Sequence, residues 1–325
     1  MKIGVIGGGS WGAALAQVSA IDGEDVLLWA RNHQVVATIN KDHCNPDFLP
    51  GIILAPTITA TTDLGDLREC DLLLVVTPAQ HMRAVLSQAI VGTRPLVLCS
   101  KGIEAHSELL MSQVAHELCS DAPIAVLSGP TFAHEVAAGL PTAITLACAD
   151  TNLAHRIATR LAQPHFRPYV SSDVIGAEIG GALKNVFAIA CGAVEGRGLG
   201  QNATAALIAR SFAEMSRFGL AMGAQAETLA GLSGLGDLVL TCTSPASRNY
   251  SLGFRLGQGE GVSGSSDAPK HIAEGAFTAT VLQKIAARIG VDMPVVDAVC
   301  ALLASEASID VVVSALLARP LRTEG

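Results

Sequence analysis

A lysine stands where the hydrophobic pattern asks for none. Residues 174–194 form an apolar, alanine-rich stretch of helical length whose only charges are Glu178 and Lys184, with Asn185 directly after the lysine. A helix apolar nearly all round is a buried helix, and lysine is rarely buried without a partner. An ammonium held in low dielectric loses proton affinity, which suits it to acid–base work near neutral pH. The plainer alternative is a lysine that snorkels from its helix to the surface.

Other polar residues fall where apolar runs end. Lys101, in Cys-Ser-Lys-Gly, follows the run at 94–100, and Gly129 and Thr131 stand at the end of the run at 123–129. Backbone N–H groups and the Thr131 hydroxyl could hold substrate oxygens there, or the threonine could simply cap the next helix. Further on, Gly-Leu-Gly-Asp-Leu-Val-Leu-Thr carries Asp237 and Thr241, and Ser247-Arg248-Asn249 forms a compact donor cluster. The planar guanidinium of Arg248 suits phosphate oxygens. A capped turn accounts for the same tripeptide equally well.

The chain opens on a short apolar run that leads into Gly7, Gly9 and Gly12 in the G-x-G-x-x-G spacing, with an alanine-rich helical segment after them. In that order Gly7 allows a tight turn, Gly9 lets the backbone approach a pyrophosphate, and Gly12 lets the helix pack close to the strand. The pyrophosphate would sit on the free N–H groups at the positive end of that helix. A strand before and a helix after separate a dinucleotide site from a merely glycine-rich turn. The second run, 25–30, is closed by Arg31, and no acidic residue lies between Val26 and Lys41 to accept hydrogen bonds from the ribose of NAD. Arginine there can meet a 2′-phosphate or stack on adenine. The cofactor therefore leans to NADP(H), with NAD(H) not excluded. His33 reads as a surface histidine.

Repeated βα units must position these groups. Runs at 2–7, 25–30, 71–77, 94–100, 123–129 and 143–148 are Val/Ile/Leu-rich without alternation, as strands buried on both faces of a parallel sheet are. Helical segments at 11–20, 80–90, 107–119 and 151–163 separate them, and 166–170 can add an edge strand. Such units give a doubly wound, mainly parallel sheet of the Rossmann type, with ligands at the carboxyl ends of its strands. After about residue 175 the strand signals stop. Segment 203–219 places Leu207, Ile208, Phe212, Met215 and Phe218 on one stripe and Arg210, Glu214 and Arg217 on the opposite face. Segments 276–290 and 294–304 also read as helices. The expected organisation is an α/β dinucleotide-binding domain over 1–175 and an all-α domain for substrate and catalysis over 176–325. Between its helices, the Gly/Ser-rich stretch 257–268 reads as a mobile loop.

Half of the 325 residues are apolar and 15% are charged, which fits heavily buried elements with room for two cores. No uninterrupted apolar run approaches the ~18 residues of a membrane span, and the N-terminus enters a strand without a leader. Eight cysteines without a C-x-x-C pair, mostly in apolar runs, read as reduced side chains of a cytoplasmic protein rather than a disulfide frame or a zinc site. The net charge of −8 disfavours nucleic acid and anionic membranes as partners. Any seat for an anion must be local.

Over nearly its whole length the chain resembles the NAD(P)-dependent glycerol-3-phosphate dehydrogenases of the bacterial type. The motifs that carry the resemblance are GGGSWGAALA at 7–16, NPDFLPG at 45–51, SKG at 100–102 and SGPTFAHEVA at 128–137. Further on come EIGGALKNVFAIA at 178–190, GLGDLVLTCTS at 234–244, SRN at 247–249 and AEG at 273–275. Position by position, the resemblance implies that Ser10, Trp11, Arg31, Ala133, Ile272 and Glu274 touch the dinucleotide, with Lys101 serving cofactor and substrate. Gly129, Thr131, Asp237, Ser247, Arg248 and Asn249 would line the substrate site, Arg248 also near the cofactor. Lys184 would be the acid–base residue, with Asn185 and Thr241 counted among the substrate contacts. The chain departs from the family at Gly8, usually alanine, at Ser211-Phe212, usually Gly-Leu, and in the diverged stretch 257–272.

The implied reaction is reduction of dihydroxyacetone phosphate to sn-glycerol 3-phosphate, a supply for phospholipid synthesis. Lys184 would give the proton, and Lys101 would help stabilise the oxygen as it gains negative charge. Two nearby ammonium groups depress each other's proton affinity, and Asp237 could hold Lys184 in place. With cationic side chains polarising the carbonyl, no metal is needed. The partner implied is a small phosphorylated substrate, and the chain is compatible with a homodimer. Two other readings stay open. One is a β-hydroxyacid dehydrogenase of the same architecture, which acts on a carboxylate; the SRN and GLGDL motifs speak against it. The other is a non-catalytic dinucleotide sensor, which would have no use for Lys184, Lys101 and Asp237 together.

Overall fold

The computed structural model describes residues 1–260 and 273–318. Ile272 and most of the Gly/Ser-rich stretch, 261–268, lie outside the described residues. From the N-terminus, strands and helices alternate: β1 (Ile3–Ile6), α1 (Ser10–Ser19), β2 (Val26–Trp29), α2 (His33–Asp42), β3 (Cys44–Asn45), β4 (Leu49–Ile53) and β5 (Ile58–Thr61). Then come β6 (Leu72–Val75), α3 (Ala79–Leu86), β7 (Leu96–Leu98), α4 (Met111–Leu118) and β8 (Ile124–Ser128). The half closes with α5 (Ala133–Ala137), β9 (Thr142–Cys148), α6 (Thr151–Leu161) and β10 (Phe166–Ser171).

Local chemistry sets several of these boundaries. Asn32 and Asp150 stop the chain from extending by accepting the first free N–H groups of α2 and α6, the usual work of a polar N-cap. Every residue of β1 and β6 is buried, as their continuous apolar runs require. Eight strands form one sheet in the order β10-β9-β8-β7-β6-β1-β2-β5. All neighbours are parallel except β8 and β9. From β1 the chain builds outward through β2 and β5, then returns to lay β6 on the other side of β1. That reversal makes a crevice at the carboxyl ends of β1 and β6, where doubly wound sheets bind ligands. The expected edge strand is β10.

Beyond Ser171 the described residues are helical: α7 (Val174–Gly196), α8 (Gln201–Ala221), α9 (Ala226–Ala230) and a π turn at 232–236 that runs into α10 (Asp237–Cys242). They continue with α11 (Arg248–Gly257), α12 (Glu274–Ile289), α13 (Pro294–Leu303) and α14 (Ile309–Leu317). The central member is α7, packed against α8, α10, α11, α12 and α13 and also against β8 and β9. Its glycines let neighbouring backbones close in. A Cβ at Gly192 or Gly196 would run into the carbonyl oxygens of Tyr250 and Phe254 on α11.

By length and composition α7 could cross a membrane, but Glu178 and Lys184 interrupt it and 89% of its most apolar window is buried within the protein. One expectation needs correction. Glu214 does not share the exposed face of Arg210 and Arg217. It is 2% exposed, and its carboxylate accepts the N–H groups of Val295 and Val296 at 2.8 and 3.4 Å, capping α13.

Candidate active site

At the end of β1, Gly7 takes φ +135°, and a Cβ on it would stand 2.9 Å from the Val76 carbonyl oxygen. Gly9 precedes α1 without a side-chain cap bond, and a Cβ there would meet nothing within 4 Å. Gly12 carries no side chain because one would strike the Gly7 carbonyl. A tight turn, an open backbone and an uncapped helix start together fit a pyrophosphate. Its brace went unread in the sequence. Asn45 Nδ2 donates to the Gly8 carbonyl at 3.0 Å, and Ser10 Oγ donates to the Phe48 carbonyl at 2.5 Å. The NPDFLPG motif is thus the hairpin that holds the glycine turn. Ser10 spends its hydroxyl there, so its backbone N–H is what remains for a ligand. Trp11 packs against the core beneath. Arg31 and His33 are exposed, Arg31 just past β2 and His33 as the first residue of α2.

Lys184 does not snorkel. It is 7% exposed, and its Nζ donates to Asp237 Oδ1 at 2.6 Å. Asp237, the first residue of α10, is fully buried and turns its other oxygen, Oδ2, to Lys101 Nζ at 2.7 Å. Lys101 Nζ also donates to the Gly129 carbonyl at 3.0 Å. One carboxylate therefore holds two ammonium groups, and the three side chains carry a net positive charge. Burial pulls the Lys184 pKa down to about 8, Asp237 opposes the fall, and Lys101 adds to it. Thr241 Oγ1 donates to the Asp237 carbonyl at 2.6 Å, so it steadies the start of α10. Thr131 is not the cap of α5. That position belongs to Phe132, and Thr131 Oγ1 donates to the Gly129 carbonyl at 3.1 Å.

Ser247 is the N-cap of α11, accepting from the Tyr250 N–H at 3.3 Å. The capped turn and the donor cluster thus coexist. Asn249 is buried: its Nδ2 donates to Asn185 Oδ1, and its Oδ1 accepts from the Gly275 N–H, each at 2.9 Å. Asn185 Nδ2 makes no hydrogen bond among the described residues and remains a donor. Arg248 is exposed at the start of α11, on the wall of a cavity of about 640 Å³ that none of Lys101, Lys184 and Asp237 lines. Glu274 opens α12 and accepts from the Ala79 N–H at the start of α3, at 3.3 Å; burial raises its pKa. Ala133 is the first residue of α5.

The Lys101 loop is clamped from α3. Gln80 Nε2 donates to the Ile103 carbonyl at 2.7 Å, its Oε1 accepts from the Ala105 N–H at 2.9 Å, and Arg83 forks onto Glu104. These residues carried no motif signal. Among the described residues no group of His, Cys, Asp and Glu could hold a metal, and all eight cysteines are free.

Family models described as NAD-dependent glycerol-3-phosphate dehydrogenase N-terminus and C-terminus match residues 2–154 and 173–314. The chain belongs to the NAD-dependent glycerol-3-phosphate dehydrogenase family. A glycerol-3-phosphate dehydrogenase of Sphingopyxis alaskensis, named for NAD(P)+, is 60% identical over 100% of this chain and 98% of its own length. Its counterpart from Erythrobacter litoralis is also 60% identical, over 99% and 98%. The crystal structure of glycerol-3-phosphate dehydrogenase from Coxiella burnetii superposes with a TM-score of 0.93 at 35% identity, covering 98% of this chain and 99% of that one. The glycine turn and the lysine-bearing α7 thus belong to a glycerol-3-phosphate dehydrogenase fold along the whole chain.

Proposed function

We propose that the protein reduces dihydroxyacetone phosphate to sn-glycerol 3-phosphate, reversibly, with NADPH or NADH. The observation that carries this reading is the Lys101–Asp237–Lys184 chain, set at the carboxyl edge of a dinucleotide-binding sheet in a member of this family. The nicotinamide supplies hydride. Gly7, Gly9, Gly12 and the start of α1 hold its pyrophosphate, Arg31 meets the adenosine end, and Trp11, Ala133, Arg248 and Glu274 border the rest.

The chain's own work is charge and placement. Lys184 delivers a proton to the ketone oxygen, and a donor with a pKa near the working pH is efficient at that task. Lys101 steadies the same oxygen as charge develops. Asp237 keeps the two ammonium groups together and lowers the cost of burying them. Asn185, Thr241, Gly129, Thr131 and Ser247 frame the substrate, while Arg248 and Asn249 receive its phosphate. Binding energy from this non-reacting group can hold the carbonyl in place. A homodimer and a cytoplasmic role in supplying glycerol 3-phosphate to phospholipid synthesis accord with this reading.

Steady-state reduction of dihydroxyacetone phosphate and of unphosphorylated dihydroxyacetone, in native and Arg248→Ala proteins, tests it. The native protein should prefer the phosphorylated ketone strongly, and the variant should lose most of that preference. Equal efficiency on both ketones would return the β-hydroxyacid alternative.

A further inference from the structure

We propose that Glu178 is a positioning residue for this reaction, clasping the Lys101 loop onto the helix that carries Lys184. Glu178 lies on α7, six residues before Lys184, and is 6% exposed. Its carboxylate bonds to neither lysine. Instead Oε1 accepts from the Ser112 N–H at 2.7 Å and Oε2 from Ser112 Oγ at 2.5 Å. Ser112 lies in the first turn of α4, whose N-cap, Leu110, offers no side-chain cap bond. The Ser112 donors and the dipole at this helix start favour the ionised form of Glu178, against burial, which raises its pKa to about 7.

The first turn of α4 is also the foot of the Lys101 loop. Ile103 bridges Leu110, and the Glu104 N–H donates to the Leu109 carbonyl at 2.9 Å. With Gln80 and Arg83 gripping the same segment, residues 103–112 form a closed, stiff loop. Lys101 projects two residues before it. Fixing Ser112 to α7 therefore fixes the base of Lys101 relative to Lys184, while Asp237 joins their tips. A misplacement of about 1 Å in such a constellation can cost ~10²-fold in rate. Without the clasp, Asp237 alone would have to set the distance between two groups that repel.

This inference rests on the reductase reading, and the test separates the two. Glu178→Gln keeps the side chain's shape and one acceptor, and Ser112→Ala removes the hydroxyl donor. Each should lower kcat roughly tenfold through the displaced Lys101 loop, with the Kd for NADPH close to native and the Tm lowered by only a few degrees, the scale of one lost charge-assisted hydrogen bond. The double variant should be no slower than the slower single. Normal kcat per folded molecule with a lowered Tm would overturn the proposal, because a merely structural tie acts that way. A second readout needs no substrate: the pH dependence of reductive methylation at Lys184, followed by mass spectrometry. The clasp predicts a shift in both variants, and unchanged labelling overturns it. A native protein inactive on dihydroxyacetone phosphate would sink the reductase reading and leave the labelling result to decide the clasp. Should Glu178→Gln fail to fold, Ser112→Ala decides on both readouts.

Discussion

The stem of Lys101 lies on Gly181: a Cβ at that point of α7 would stand 3.3 Å from Lys101 Cγ and 2.8 Å from Ser128 Oγ. Gly181 is three residues before Lys184, so the bare spot on the helix that feeds one lysine into the site makes room for the other.

Gly181→Ala should therefore damage turnover before it damages cofactor binding. The added carbon meets Ser128 and the lysine stem in a packed interior, where overpacking costs about 1–3 kcal/mol. Ser128 Oγ holds no hydrogen bond among the described residues and can turn aside, so the remaining strain falls on the Lys101 stem, which must give by a few tenths of an ångström and carries its ammonium with it relative to Asp237. Single-turnover rates and NADPH affinity measured together decide this; affinity lost in step with rate would mean a general loosening instead.

Lys184 sets the pH profile. A donor must hold its proton for reduction, so the rate should stay level at lower pH and fall as pH rises through about 8. Oxidation of glycerol 3-phosphate needs the free amine and should rise through the same range. Lys184→Ala should abolish both limbs and lower turnover by roughly 10²–10⁴-fold, with NADPH binding retained. Near-normal turnover would leave Lys184 a structural lysine.

Arg31 stands exposed where many NAD-binding chains place an acid. Arg31→Ala should weaken NADPH about tenfold or more, the scale of a charge-assisted hydrogen bond of ~1.5–3 kcal/mol, and leave NADH nearly untouched. Titrating both cofactors by fluorescence checks it. Equal losses would point to stacking on adenine rather than to a 2′-phosphate contact.

Glu214 should make stability depend on pH. Burial raises its pKa from 4.5 to about 7, against the pull of the α13 N–H groups. A carboxyl whose folded pKa is raised contributes stability that is full below its ordinary value and is lost as pH rises through the folded one. Glu214→Gln cannot ionise, so its Tm relative to the native protein should climb between pH 4.5 and about 7. A constant difference across that range would show that Glu214 stays ionised in its cap.

What the sequence exposed was local. Buried strands announce themselves as unbroken apolar runs: β1, β2, β6, β7 and β8 lie within them, and β9 exceeds its run by one residue. β3, β4 and the edge strand β5 do not: β3 has only two residues, β4 is a largely exposed hairpin strand, and an edge strand needs no unbroken apolar run. Helix α11 was hidden for a related reason: Ser247-Arg248-Asn249 reads as a polar turn until Ser247 is seen capping the helix that begins there. Glu214 misled because its charge suggests solvent, whereas its partner is the start of a helix about eighty residues away in the chain.

The sequence by itself determined a glycine turn between strand and helix, a basic residue after the second strand, and a lysine inside an apolar helix. Each is fixed by residues within a few positions of one another, where backbone geometry leaves little choice. Only the tertiary structure decided that Lys101 and Lys184 share the carboxylate of Asp237, which lies 136 and 53 residues from them along the chain. Such a pairing follows from how α7, α10 and the Lys101 loop pack, and no spacing in the chain encodes it. Burying three charges is tolerable only once they meet, so the packing that brings them together is also what makes them a site.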